Sequence, residues 1–284
     1  MIDRKKRAIF ILTYKRSGNV ITYKKLKEAK CKEQIYFVVG DDDPELEQYK
    51  KIYKEKIIVF SKSEIRPEVD LCDNFEKTKA VVYARNQVFK IAENLGLDYF
   101  CVLDDDYTSF LYRRPFGNVL KGFQMKDIQK PFDYTFDYLA KTKNLDCLAW
   151  SQGGDFIGGA EKYYRDIGKH KIMNVYFFKT DRKIRFMGSI NEDLNASVYE
   201  GSRGKVFFTI FDASITQKIT QEQSGGLTDL YLDLGTYIKS FYSVIVAPNC
   251  IKISSMGNKD LRIHHKVDWK KASAMIIREK YKKV

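Results

Sequence analysis

Three adjacent carboxylates, Asp104, Asp105 and Asp106, follow the apolar run Phe100 to Leu103. Carboxylates this close repel one another unless a cation shares them. A hard divalent ion, Mg2+ or Mn2+, is the natural partner and would bridge to substrate phosphates. In an extended turn, residues 104 and 106 point one way and 105 the other, which makes Asp104 and Asp106 the expected metal pair. The competing reading is an acidic solvated loop. The cluster closes an apolar strand, and ligands of open α/β sheets gather at such ends, which favours the metal.

Further groups bear reactive side chains. His264 and His265, two of only three histidines, follow Leu261 to Ile263. A neutral imidazole there would complete the shell of the same ion, with His265 preferred; otherwise the two form a surface pair. Glu192 and Asp193 lie in the run Asn191 to Asn195, behind Phe186 to Ile190. Either carboxylate suits a general base acting on an acceptor hydroxyl, and either is equally at home in the first turn of a helix. Arg85, in Ala84 to Asn86, is a candidate partner for a diphosphate oxygen or an ordinary helix-surface arginine. The compact turn Gly225 to Asp229 either binds a substrate or joins two elements.

The order of elements decides where these groups meet. Ala8 to Thr13 is a continuous apolar run, as in a strand buried on both faces of a parallel sheet. A polar loop, Tyr14 to Asn19, and a Lys-rich helix near Thr22 to Ala29 follow. A strand from Gln34 to Val39 ends at Gly40 and the acidic stretch Asp41 to Asp43. After another charged helix comes a strand from Lys56 to Phe60. This β-α-β-α-β order predicts an open, mostly parallel α/β sheet. A periodic helix from about Thr78 to Leu95 is capped by Gly96, and the strand Tyr99 to Leu103 runs into Asp104. The acidic triplet, Asp41 to Asp43 and the Tyr14 to Arg16 loop therefore converge on one sheet edge.

Beyond Pro115 the pattern predicts a helix over Phe132 to Lys141. Strands are predicted over Leu145 to Trp150, Asn174 to Lys179, Phe207 to Phe211 and Ser243 to Ala247. A glycine-rich segment spans Gly153 to Gly159, and Trp269 to Lys283 reads as a basic amphipathic helix. No repeat or linker divides the chain. Residues 1–284 are expected to form one domain, with a change of role near residue 115.

Composition adds the partner class. The 284 residues are 44% hydrophobic and 31% charged, as in ordinary globular proteins. The net charge of +13 implies an anionic partner. Its spread from Lys5 to Lys283 points past a small nucleotide to a polyanion such as DNA or RNA, unless it serves solubility alone. Five widely spaced cysteines with no CxxC pair support neither a zinc knuckle nor a disulfide frame. They suit a reducing, cytoplasmic setting. The apolar run after Ala8 is too short for a signal peptide, and no stretch is long enough to span a bilayer, so no membrane partner is expected.

In this order the motifs resemble the GT-A glycosyltransferases over most of the chain. Asp104-Asp105-Asp106 matches the DxD motif, Glu192-Asp193 the later acceptor motif and His265 the C-terminal metal ligand, with Ala84-Arg85-Asn86 ahead of them. The resemblance implies a Rossmann-like, nucleotide-sugar-binding half over about 1–115. A smaller mixed, acceptor-binding part would occupy about 116–284. A closer resemblance, to the phage TET-associated glycosyltransferases, rests on Phe186 to Asp193, Gly226 to Asp229 and Gly235 to Tyr242. It implies sugar transfer to hydroxymethylated pyrimidines, chiefly 5-hydroxymethylcytosine, in phage DNA within the host cytoplasm. It also implies that Thr13, Tyr14 and Arg16 line the nucleotide pocket and that Asp41 and Asp43 lie near base and ribose. Arg85 would lie near the diphosphate, with Asp105 also in the nucleotide-sugar site, and a UDP-sugar is the default donor. Three rivals remain. They are a glycosyltransferase for a polysaccharide, lipid or protein, a nucleotidyltransferase, and a non-catalytic DNA-binding module. Intact Asp104, Asp106 and Glu192 speak against the last.

Overall fold

The computed structural model describes residues 2–72, 80–117, 119–156, 171–218, 238–256 and 262–274. Its first strands are β1 (Arg7–Leu12), β2 (Gln34–Gly40), β3 (Ile57–Phe60) and β4 (Tyr99–Asp104). They pair in parallel in the order β3-β2-β1-β4. All six residues of β1 are buried; Arg7 is paired with Glu33, and Ala8 to Leu12 form an unbroken apolar run rather than an alternating one. The connecting helices are α1 (Ile21–Glu28), α2 (Leu46–Tyr53), the short α3 (Lys62–Ile65) and α4 (Val82–Asn94). Gly96 closes α4 in the left-handed conformation at φ 65, and Leu97 N–H reaches back to the Ala92 carbonyl at 3.0 Å.

The same sheet continues with β5 (Tyr107–Phe116), β6 (Val119–Gln124), β7 (Cys147–Gln152), β8 (Val175–Lys179) and β9 (Phe207–Gln217). Their order beyond β4 is β8-β7-β9-β5-β6. β8 runs antiparallel to β4 and β7, β9 runs parallel to β7, and the β5–β6 hairpin packs antiparallel on β9. The expected α/β class is found, with the mixed part built onto the parallel part. The pairings send the ends of β1 to β4, β7 and β9 and the starts of β5 and β8 to one edge. One sheet face packs on α4 through Val88, Phe89, Phe100 and Phe178. The other packs on α5 (Gln129–Lys141) through Phe132, Phe136, Trp150 and Phe177. The remaining elements are α6 (Glu192–Gly201), α7 (Ile238–Val246), the hairpin β10 (Ile251–Met256) and β11 (Arg262–Val267), and α8 (Trp269–Ala272).

Three expectations are corrected. Ser243 to Ala247 is not a strand, since Ser243 to Val246 are the last turn of α7. A short apolar run with β-branched residues fits either period, and packing decided it: Tyr242 and Ser243 face the loop ahead of α6. The β5–β6 hairpin lies where only a break at Pro115 was expected. Pro115 is tolerated because β9 pairs with β5 only as far as Tyr112. The helix expected over Trp269 to Lys283 is broken after one turn: Trp269–Ala272 is helical, Ser273 is extended, and residues 275–284 lie outside the described residues. So do Gly158, Gly159, the turn 225–229 and residues 235–237. Among the described residues no helix is long and apolar enough to cross a membrane.

Candidate active site

The acidic turn is anchored through its backbone, which leaves the carboxylates for other work. Thr22, in the first turn of α1, donates its hydroxyl to the Asp104 carbonyl (2.6 Å) and accepts from Tyr107 N–H (2.9 Å). Its own N–H reaches the Asp105 carbonyl at 3.1 Å. The buried Tyr107 hydroxyl accepts from Asp104 N–H (3.1 Å) and donates to the Asn174 carbonyl (2.5 Å). A carboxylate triplet held this way cannot relax its repulsion by moving its backbone.

The three side chains have different surroundings. Asp105 is buried and accepts from the Thr13 hydroxyl at 2.7 Å and from the Arg16 guanidinium. The Tyr49 hydroxyl, within 2.8 Å of Thr13 Oγ1, also accepts from Arg16 N–H at 2.8 Å, so the loop after β1 is tied to the acidic turn. Asp104 and Asp106 are half-buried. Asp104 accepts from Arg85 at 3.1 Å. Burial raises its carboxyl above the usual range, with the Arg85 guanidinium opposing and Asp193 adding to the rise. Burial, and then the charges of Asp104 and Asp105, push Asp106 up to about 7.

Arg85 joins the acidic turn to the second carboxylate pair. Its side chain is 4% exposed, its Nε donates to Glu192 at 2.9 Å, and its guanidinium lies 4.9 Å from the Tyr176 ring centre. Asn86, the next residue, exchanges hydrogen bonds with the Phe186 backbone: Nδ2 donates to the carbonyl (2.9 Å) and Oδ1 accepts from N–H (3.1 Å). The pair Arg85-Asn86 thus fixes both the loop that leads to α6 and the carboxylate at its start. In that loop Gly188 has φ 91, and a Cβ there would meet Asn195 Nδ2 at 2.5 Å. Asn191, also left-handed at φ 56, ties the loop to α7 through the Lys239 carbonyl (2.8 Å) and Ser243 Oγ (3.0 Å).

Asp193 points elsewhere. Burial alone would raise its carboxyl, but Lys171 at 2.9 Å overrides that and holds it below the usual range. Asp155 shares this neighbourhood; burial pushes it up to about 6, with Lys171 opposing and Asp193 adding to the rise. His265, on β11, lies within electrostatic reach of Asp193 and Lys171. Burial, then His264 and the nearby lysines, push it down to about 4, so the imidazole is neutral at pH 7. Its Nδ1 is a buried atom with no hydrogen-bond partner. Among the described residues, no three His, Cys, Asp or Glu side chains gather into a ready-made metal cluster. Asp104 and Asp106, crowded on one turn, have the oxygen donors a hard divalent ion takes, whereas His265, near Asp193 and Lys171, is not gathered with them.

The loops at the same edge complete the picture. Asp43 is buried and accepts from the backbone N–H groups of Lys15 and Glu45, both at 2.9 Å, so it shapes the Tyr14–Arg16 loop from beneath. Asp41 is exposed and accepts from Lys62 N–H at 3.2 Å. Tyr14 lies beside Lys15 and Lys62, whose ammonium groups are 5.4 and 4.9 Å from its ring centre. Sequence reasoning missed Thr22, Tyr49, Tyr107, Asp155 and Lys171. Thr22 carried a signal, a hydroxyl residue at a helix start; Tyr107 stands beside the triplet but its role depends on the distant Asn174 carbonyl, and Tyr49, Asp155 and Lys171 act on groups far off in sequence, so these four carried none.

A family model for TET-associated glycosyltransferases matches residues 7–226. The chain belongs to the TET-associated glycosyltransferase family. It is therefore a glycosyltransferase, and the match takes in the acidic turn, Arg85 and the Glu192-Asp193 pair. No curated protein matches the chain. Among solved structures it is similar to glucosyl-3-phosphoglycerate synthase from Mycobacterium tuberculosis in complex with Mn2+ and UDP-glucose, at 8% identity. That match covers 92% of this chain and 86% of that one, with a TM-score of 0.47. The same synthase with Mg2+ and UDP matches at 9% identity, covering 92% and 87%, TM-score 0.45. A CMP:2-keto-3-deoxy-manno-octonic acid synthetase complexed with CTP matches at 11% identity, covering 80% and 96%, TM-score 0.41. The bound metals and nucleotides are properties of those proteins.

Proposed function

We propose that this glycosyltransferase moves a sugar from a UDP-sugar to the hydroxymethyl group of a hydroxymethylated pyrimidine, chiefly 5-hydroxymethylcytosine, in DNA. The observation that carries the reading is Arg85, which binds Asp104 at the end of β4 and Glu192 at the start of α6. One buried cation thereby holds together the two carboxylate motifs that a donor site and an acceptor site require. The donor half is assigned to about 1–115 and the acceptor half to about 116–284, within one catalytic domain. The DNA acceptor is supported by the family and by the net charge of +13.

Each residue has a part in this reading. Thr13, Tyr14 and Arg16 form the loop facing the nucleotide, with Asp41 toward base and ribose and the buried Asp43 and Asp105 bracing the loop from beneath. Mn2+ or Mg2+ on Asp104 and Asp106 would supply charge neutralisation for the departing diphosphate. Arg85 acts as a positioning residue for Asp104 and Glu192. Asp193, whose side chain is 15% exposed against 8% for Glu192, takes the proton of the hydroxymethyl group, and Lys171 orients it. As that oxygen bonds to the anomeric carbon, the bond to the diphosphate breaks, which inverts the centre. In a duplex the base would be turned out of the stack to reach the site, whereas a single strand presents it already unpaired.

The test is mass spectrometry of nucleosides from 5-hydroxymethylcytosine DNA incubated with the protein, Mn2+ and a panel of UDP-sugars. A nucleoside heavier by one sugar, absent with Asp104→Asn, is the expected result. UDP release without added mass would reject the DNA acceptor and keep a glycosyltransferase for another one. Pyrophosphate release when a nucleoside triphosphate and a sugar phosphate replace the UDP-sugar would mark a nucleotidyltransferase.

A further inference from the structure

The β5–β6 hairpin carries chemistry that the catalytic edge does not use. Its strands pair Tyr112 with Phe123, Arg114 with Lys121 and Phe116 with Val119. Directly paired residues share a face, so these six side chains form one stripe in which a cationic pair sits between apolar pairs. Phe116, Val119 and Phe123 are 68%, 59% and 47% exposed, and Arg114 and Lys121 are exposed as well. The Lys121 ammonium lies 5.2 Å from the Phe116 ring centre and 5.8 Å from that of Phe123. The opposite face is packed: Leu120 is buried with Phe211, and Arg113 donates to Ser214 Oγ (2.8 Å) with its guanidinium 4.3 Å from the Phe156 ring centre. Packing of one face therefore holds the other toward solvent. Residues 107–124 contain no carboxylate.

We propose that this exposed face is a strand-binding surface for acceptor DNA. It stacks unpaired bases on Phe116 and Phe123 and holds the adjoining phosphates with Arg114 and Lys121. Flat rings beside cations are the combination that binds single strands without reading sequence. A two-fold contact with a second copy would bring Arg114 and Lys121 against their own kind, whereas a polyanion neutralises them. At about 3.3 Å per residue, Phe116 stands about 30 Å along β5 from Tyr107 beside the acidic turn. The surface therefore grips the strand flanking the reactive base rather than that base. This rests on the DNA-acceptor reading.

The test uses full-length protein and a fluorescent single-stranded oligonucleotide with one 5-hydroxymethylcytosine. Fluorescence anisotropy across a salt series gives binding, and nucleoside mass spectrometry gives kcat and KM. In Phe116→Ser/Phe123→Ser the Kd and KM should rise roughly thirtyfold or more, the loss of two stacked bases, with kcat kept. In Arg114→Gln/Lys121→Gln the slope of log K against log salt should flatten by about 1.4, two single-strand phosphate contacts. All four positions are exposed, so an unchanged melting temperature accompanies both results. Unchanged Kd and salt slope, with DNA still glycosylated, would overturn the hairpin and leave the DNA acceptor standing. No binding or glycosylation of DNA by the parent protein would remove both. Sedimentation that shifts from dimer to monomer in the Phe variant would reassign the face to self-association.

Discussion

Removing the Arg85 guanidinium is the most incisive perturbation available in the catalytic edge. Arg85→Met keeps an unbranched apolar side chain but removes the guanidinium that lies 4.9 Å from the Tyr176 ring centre, so Asp104 and Glu192 lose their shared partner. Burial already pushes both carboxyls upward, and Arg85 is the main force opposing it. Breaking a buried pair from one side costs about 3–5 kcal/mol, because the remaining charge keeps its desolvation penalty. With about 2.1 cal/mol/K of unfolding entropy per residue, 284 residues give about 600 cal/mol/K, so Tm should fall by about 5–8 °C. Arg85→Lys restores the charge but not the fork that reaches both carboxylates, so it should recover part of the Tm and little of the turnover. Scanning calorimetry and nucleoside mass spectrometry on the same preparations measure the two quantities. An Arg85→Met protein that melts within 1 °C of the parent and keeps its kcat would refute the clamp.

Other predictions probe the loop and the far end of the sheet. Gly188→Ala forces a side chain onto φ 91 and into Asn195 Nδ2, a strain of about 1–3 kcal/mol. It should lower kcat through displacement of the Glu192-Asp193 pair while DNA affinity measured by anisotropy stays constant. Lys179, which donates to the Thr142 carbonyl at 2.8 Å, is pushed down to about 8 by burial and then Arg182. The unfolded chain holds that proton up to about 10.4, so the folded state binds fewer protons between these values. Stability should therefore rise with pH through that window. Melting curves recorded at intervals across it should lose this rise in Lys179→Met.

The parts legible in the sequence were those whose signal is local. β1, β2 and β4 announced themselves as apolar runs because burial on both faces removes alternation. The acidic turn was legible as a strand end, and Glu192-Asp193 as the start of α6. What the sequence hid is long-range. Nothing near Lys171 says that it pairs with Asp193, and nothing near Tyr49 says that its hydroxyl closes the Thr13–Arg16 loop. The hairpin was hidden for another reason: only one of its faces is packed, and the exposed one carries phenylalanines where a strand pattern would lead one to expect polar residues. Ser243 to Val246 fit a strand or a helix equally well until their contacts with Asn191 and the loop ahead of α6 are known.

The sheet itself bears on how such an enzyme could be rebuilt. β4 is hydrogen-bonded to β1 on one side and to β8 on the other, and the β5–β6 hairpin spans residue 115, where the proposed donor and acceptor halves meet. A chimera that joined the first 115 residues to a relative's remainder would cut inside β5, ahead of Phe116, and leave β4 with an unmatched neighbour. The two roles are separable as chemistry but not as cloning fragments. Acceptor choice is better retargeted by grafting exposed loops and the hairpin's outer face onto an intact sheet than by exchanging halves.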